Sequence, residues 1–166
     1  MRIRDLVTTD LEAALALNNA NTPALNELDL AELQRLHGLA TFGLAAEVDG
    51  ALAGFCLTLG PGADYESLNY RWFSARYDAF TYLDRIVVDT ALRGVGIGAA
   101  FYTELEQRIA GRPRWLLCEV NVRPMNEGSL RFHHRVGFTE VGQQDTDDGK
   151  KTVSLLAKDL RAFVPQ

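Results

Sequence analysis

Val87-Val88-Asp89-Thr90-Ala91-Leu92-Arg93-Gly94-Val95-Gly96-Ile97-Gly98 is the stretch on which the reading of this chain turns. An apolar strand pattern, Ala79 to Val88, runs into it, and a helical pattern from about Gly98 to Ala110 leaves it. Alternating glycines between a strand and a helix let the backbone take positive φ and let an anion reach the amides without meeting side chains. The helix adds the positive end of its dipole, and Arg93 adds a fixed charge at the rim. Three alternating glycines are more than a plain turn needs, so the loop reads as a pyrophosphate site.

Two kinds of protein use such a loop. Gly94-Val95-Gly96-Ile97-Gly98-Ala99 fits the dinucleotide pattern GxGxxG/A, and Glu119 follows at about the 20-residue spacing of a ribose-binding acid. Against that reading, Asp89 to Arg93 separate the strand from the first glycine, whereas the dinucleotide turn has its glycine directly after the strand. The unit also lies mid-chain, with too little sequence beyond it for a second nucleotide-binding half.

Working outward, Ile3 to Val7 is a strand candidate, and Thr9-Asp10-Leu11-Glu12 has capping-box spacing ahead of a helix to Asn18. A polar loop to Asn26 precedes a second helix, Asp29 to Leu39. Thr41 to Val48 and Ala51 to Leu59 flank Asp49-Gly50, a two-residue hairpin turn. Gly60 to Asp78 is read as an ordered aromatic loop packed over something. After the central helix, Gly111-Arg112-Pro113 is expected to stop it. Arg114 to Asn121 follows as a strand, Glu127 to Val136 as a helix ended by Gly137, and Phe138 to Gln143 and Lys151 to Leu156 as strands around the turn Asp145 to Gly149. This order is an α/β or α+β mixture around one mixed sheet, and residues 1–166 are expected to form a single domain.

The central stretch resembles the GNAT acetyltransferase superfamily, whose loop reads Arg/Gln-x-x-Gly-x-Gly/Ala after a strand ending in a hydrophobic pair. The resemblance continues in Asn126, Ser129, Leu130, Phe132, His133 and Gly137-Phe138, in the family's order and at its separation. It covers almost the whole chain and suggests a small stand-alone member of bacterial type. It implies a single mixed, largely antiparallel sheet of about six to seven strands, helices on both faces and a splayed strand pair. The implied activity is direct transfer of acetyl from acetyl-CoA to the primary amine of a small molecule in a ternary complex. By resemblance, CoA pyrophosphate rests on Arg93, Gly94, Val95, Gly96, Ile97, Gly98 and Ala99, and the pantetheine arm on the backbone of Ile86, Val87 and Val88. An N–H of Val87 or Val88 would face the thioester oxygen. Asn126, Ser129 and Phe132 would touch the arm.

An ammonium with a pKa near 10 must lose its proton before it can attack. Alternation on the strand puts Tyr82, Asp84, Ile86 and Val88 on one face, which makes Asp84 the leading base candidate. Glu119, with Asn121, could bind the ammonium or share that role. The competing reading for each acid is a partner for a nearby arginine such as Arg85. His133 stands where the family most often has a tyrosine that protonates the leaving thiolate, and a histidine could donate that proton or take one from the amine. His134 reads as a solvated helix residue and His37 as structural. No metal site is expected.

Tyr70, Trp72 and Tyr82 are candidates for the acceptor pocket, against a hydrophobic cover on the sheet or a homodimer interface. With 47% hydrophobic residues the chain can bury a core, and its net charge of −5 disfavours nucleic acid and anionic membrane. No apolar run nears the about 20 residues of a membrane span, and the N-terminus lacks an apolar signal core, so a cytoplasmic location is expected. Cys56 and Cys118 are far apart and read as buried thiols. A non-catalytic acyl-CoA sensor is the alternative class, and the presence of both Asp84 and His133 speaks against it.

Overall fold

A computed structural model describes residues 1–110 and 112–162, with the Ala162 side chain excepted. Seven strands make a mixed sheet in the order β1-β2-β3-β4-β5-β7-β6. They are β1 (Arg2–Asp5), β2 (Phe42–Val48), β3 (Ala51–Leu59), β4 (Phe80–Val88), β5 (Trp115–Arg123), β6 (Thr139–Thr146) and β7 (Lys151–Asp159). The helices are α1 (Leu11–Asn19), α2 (Leu30–Leu39), α3 (Leu68–Ser74), α4 (Ile97–Ile109) and α5 (Glu127–Arg135). The chain divides into two compact units, Met1–Leu59 with Leu83–Arg108, and Gly60–Tyr82 with the chain from Ile109. No helix among the described residues is long and apolar enough to cross a membrane.

In the first unit β2 pairs antiparallel with β1 and β3. Asp49 and Gly50 take φ of 51° and 79°, the doubly left-handed turn that a tight hairpin requires. Asp29 caps α2 by accepting from the Glu32 N–H at 2.8 Å. Leu33 and Leu36 are buried one helical turn apart, contributing roughly 1.5–3 kcal/mol each. The capping box read at Thr9 and Glu12 does not form. A 3-10 turn, Thr8–Asp10, precedes α1, and the Asp10 carboxylate takes the Val7 N–H instead at 2.9 Å, because it is also held by Arg4 at 2.7 Å. Gly54 on β3 has no room for a side chain: a Cβ there would lie 2.6 Å from the Val87 carbonyl oxygen.

In the second unit β7 lies between β5 and β6, antiparallel to both. β4 and β5 run parallel, in register from Phe80↔Trp115 to Tyr82↔Leu117. The expected loop over Gly60 to Asp78 contains α3. Ser67 starts it by accepting from the Tyr70 N–H, and Tyr70 and Phe73 bury its inner face one turn apart. β5 runs to Arg123, two residues past its expected end, with a bulge after Asn121. Gly137 leaves α5 at φ 102° as expected. The expected stop at Gly111 lies outside the described residues.

Candidate active site

In the first unit β4 ends at Val88, and Asp89 accepts from the Ala91 N–H at 2.9 Å to start a 3-10 turn, Thr90–Leu92. Gly94 and Gly96 then take φ of 81° and 92° before α4 begins at Ile97. An added Cβ at either glycine would meet nothing within 4 Å, so the face of the loop is open. Backbone amides bent by left-handed glycines at the start of a 13-residue helix fit a diphosphate. Ile97 is buried as the helix anchor, while Arg93, Gly94, Val95, Gly96 and Ala99 are exposed and Gly98 is half-buried. Arg93 donates to the Asn21 Oδ1 on the turn after α1, a tie that no sequence pattern indicated.

Asp84 has a partner on the same strand. Its carboxylate accepts from Arg85 Nε at 2.7 Å, and Arg85 Nη1 donates to the Asn18 Oδ1 at 2.8 Å. Asn18 is fully buried and also donates to the Asn26 carbonyl. The network ties β4 to α1 and to the connection that leaves it. The competing sequence reading for Asp84, an arginine partner, matches this geometry. Val87 is buried, and Ile86 and Val88 are half-buried. The Asp89 N–H donates to the Ala53 carbonyl on β3 at 2.8 Å.

In the second unit the structure brings Tyr82 and Glu119 together. The Tyr82 hydroxyl lies 2.9 and 2.8 Å from the two carboxylate oxygens of Glu119. Asn121, two residues further along the same face of β5, accepts through its carbonyl from the Asn126 N–H and so closes the turn ahead of α5. Asn126 caps that helix, its side chain accepting from the Ser129 N–H. Phe132 is half-buried, its ring edge-on to His133.

His133 is buried, with its ring between those of Phe132 and Phe138. Its Nδ1 lies 2.7 Å from the Ser129 carbonyl oxygen, which can only accept, so Nδ1 carries the proton of the neutral ring. Burial holds its pKa below the usual value, and the neighbouring exposed His134 pushes the same way, against the raising effect of the Ser129 carbonyl. His133 is therefore neutral at neutral pH, with Nε2 as its basic atom.

Tyr70 and Trp72, read as acceptor contacts, are engaged in packing. The Tyr70 hydroxyl donates to the Gly60 carbonyl at 2.7 Å and accepts from the Ala63 N–H at 2.9 Å. Trp72 lies against Gly142, where an added Cβ would come within 2.6 Å of its ring, and the Arg76 guanidinium stacks on it at 3.8 Å.

A mixed seven-stranded sheet, with five residues between the end of β4 and the first glycine of an open loop feeding α4, fits an acyl-CoA-dependent transferase better than a dinucleotide enzyme, whose first glycine directly follows its strand. The model of the Acetyltransferase (GNAT) family matches residues 7–138, and the chain belongs to that family. It is an acetyltransferase, and acetyl-CoA is its acyl donor. No curated protein matches it. Among solved structures it is similar to the ribosomal-protein-S18-alanine N-acetyltransferase of Escherichia coli, at 20% identity and TM-score 0.74 over 99% of this chain and 96% of that one. The smu.2055 protein of Streptococcus mutans UA159 superposes with TM-score 0.78 at 17% identity, over 97% and 100% of the two chains. A Salmonella typhimurium protein whose structure holds its cofactor acetyl-CoA gives TM-score 0.70 at 21% identity, over 100% and 97%.

Proposed function

We propose that this chain transfers acetyl to the primary amine of a small molecule, with Glu119 as the carboxylate that binds and deprotonates the acceptor ammonium. The observation that carries this reading is the half-buried Glu119 carboxylate, fixed by a tyrosine hydroxyl. A carboxylate removed from bulk water and presented on one strand face can pair with a single ammonium. Asp84 is committed to Arg85, so it serves the position of β4 rather than the acceptor.

The amides of Gly94, Val95, Gly96, Ile97 and Gly98 would hold the diphosphate, with Arg93 and Ala99 at the rim. The β3 side of the β4 end is taken up by Ala53, so the backbone of Ile86, Val87 and Val88 would receive the pantetheine amides on its other edge. Asn126, Ser129 and Phe132 would contact the arm. Bound acetyl-CoA supplies a thioester carbonyl open to attack by a neutral amine. His133, neutral and with Nδ1–H given to Ser129, can take a proton at Nε2 and pass it on. Asn121 would orient the acceptor beside Glu119.

A second reading is a protein acceptor, attacked through its N-terminal amine, since two similar structures, from Escherichia coli and Brucella melitensis, are named ribosomal-protein-alanine N-acetyltransferases. The test is thiol release from acetyl-CoA with a panel of small primary amines beside short peptides bearing free N-termini, with NADH and Gly96→Glu as controls. The thiols of the protein do not interfere, because Cys56 and Cys118 are buried and burial pushes Cys56 up to about 12. Turnover of small amines is expected. Turnover of peptides alone would move the acceptor to protein N-termini, and acetyl-CoA binding without turnover of either would leave a sensor.

A further inference from the structure

The Tyr82 hydroxyl is fully buried yet sits within hydrogen-bond reach of both oxygens of one carboxylate, at 2.9 and 2.8 Å. A phenol has one proton, so it donates to one oxygen at a time, and near-equal distances centre the Glu119 carboxylate on the hydroxyl. The ring cannot follow a wandering carboxylate. Tyr70 meets it edge-on at 5.6 Å and Phe73 packs against it at 5.8 Å, both from α3. Tyr70 is itself pinned at its far end by the Gly60 carbonyl and the Ala63 N–H. A continuous rigid path thus runs from the Gly60–Ala63 turn through Tyr70 and Tyr82 to Glu119.

We infer that Tyr82 is a positioning residue: seated by the aromatic face of α3, its hydroxyl holds the Glu119 carboxylate in one orientation for the acceptor ammonium. This rests on the reading of Glu119 given above. The hydroxyl does two things for that carboxylate. It fixes the rotamer, so the carboxylate presents one geometry to the substrate. It also favours the ionised form, because a donated hydrogen bond stabilises the anion more than the acid. The groups facing Glu119 from the elements packed around it include Tyr82 on β4, with Tyr70 on α3 behind it, and Leu155, its register partner on β7. On β5 itself Asn121 is the neighbour on the same face. Expressed as design, α3 is then part of the acceptor machinery rather than a mere cover.

Tyr82→Phe keeps the ring and removes only the hydroxyl. The CoA complex, labelled with carboxyl-13C glutamate and assigned by the signal missing in Glu119→Gln, reports the Glu119 titration by NMR, and ethylammonium serves as a minimal acceptor probe. In Tyr82→Phe the Glu119 titration should rise by about one pH unit, a tenfold loss in ionised-to-neutral ratio at a given pH, and the response of its signal to ethylammonium should weaken. CoA affinity by calorimetry should stay at the wild-type value. Tyr77→Phe, which removes another hydroxyl from the same aromatic layer, should leave the titration unchanged. If Glu119 answers ethylammonium in the wild type and titrates identically in Tyr82→Phe, the positioning role is wrong while the Glu119 reading stands. If the wild-type Glu119 signal ignores ethylammonium, the reading of Glu119 itself fails and the positioning role with it.

Discussion

Replacing Asp84 by asparagine separates a structural carboxylate from a catalytic one. The Asp84 and Arg85 side chains are 4% and 7% exposed and meet at 2.7 Å. Asparagine keeps the shape but removes the negative charge beside the buried guanidinium, whose bond to the Asn18 amide oxygen stays in place. Breaking a buried pair in this way costs about 3–5 kcal/mol. The lower end, about 3 kcal/mol, is expected because Asn18 still accepts from Nη1. That is a large share of a typical stability of about 5–15 kcal/mol, so the urea midpoint should fall steeply. The folded fraction should keep its kcat within about tenfold. A general base deleted from the reaction would instead cost about 10²–10⁴ in rate with little loss of stability. A variant with the wild-type urea midpoint and kcat down a thousandfold would refute the assignment of Asp84 to Arg85 and restore it as the base.

Gly54→Ala should destabilise by about 1–3 kcal/mol in urea titrations, because its Cβ would meet the Val87 carbonyl oxygen at 2.6 Å and one of two backbones must move; acetyl-CoA affinity should fall with it. Gly96→Ala places an L residue at φ 92°, a strain of about 1 kcal/mol or about fivefold in loop population, read as weaker acetyl-CoA binding by calorimetry. Gly38→Ala, in α2 with open space around it, should gain about 0.4–1 kcal/mol in the same urea assay. His133 has a folded pKa below its unfolded value of about 6.5, so the unfolded state binds more protons as the pH falls. Its contribution to stability is therefore complete above about pH 6.5 and lost as the pH falls through the folded value; urea midpoints from pH 8 to 5 should show this slope, and His133→Phe should flatten it.

Local chemistry was legible where a single residue dictates backbone. Asp49-Gly50 gave a turn with both residues at positive φ, Asp29 gave a cap, and the glycines before Ile97 gave an open loop. α3 escaped because seven residues rich in aromatics lack helical propensity and read as an ordered loop, although Ser67 three positions before Tyr70 was a capping signal in plain view. The Asp84–Arg85 pair was open to sequence reading as the competing role for Asp84, but strand alternation, which sends adjacent side chains to opposite faces, argued for the base instead, and the link on to Asn18 was out of its reach. The available clue was Asn18, a polar residue on the buried stripe of α1 that also holds Leu11 and Ala14. Tyr82 and Glu119 were each singled out but not joined. Their meeting depends on β4 and β5 being in register at Tyr82↔Leu117, which puts Glu119 two residues along the same face, and register between strands so far apart in sequence is a tertiary property.

The ionisation of His133 also constrains the order of proton transfers in the proposed reaction. A neutral ring whose Nδ1–H is already given to the Ser129 carbonyl holds no spare proton at neutral pH. It therefore cannot begin as an acid, as the tyrosine usual at its position could. In the proposed role it would first accept, at Nε2, the second proton of the acceptor amine, after Glu119 has taken the one that turns the ammonium into a nucleophile. Once charged inside an apolar setting of Phe132 and Phe138, the imidazolium is a stronger acid than in water, and the same burial that kept it neutral now drives the proton onward. The substitution of histidine for tyrosine thus changes the logic from donation to relay: one group accepts and then donates, and the reaction needs no proton from solvent. In the proposed reaction Glu119, oriented by Tyr82, would take the first proton of the acceptor ammonium, and His133 would relay the second to the leaving thiolate.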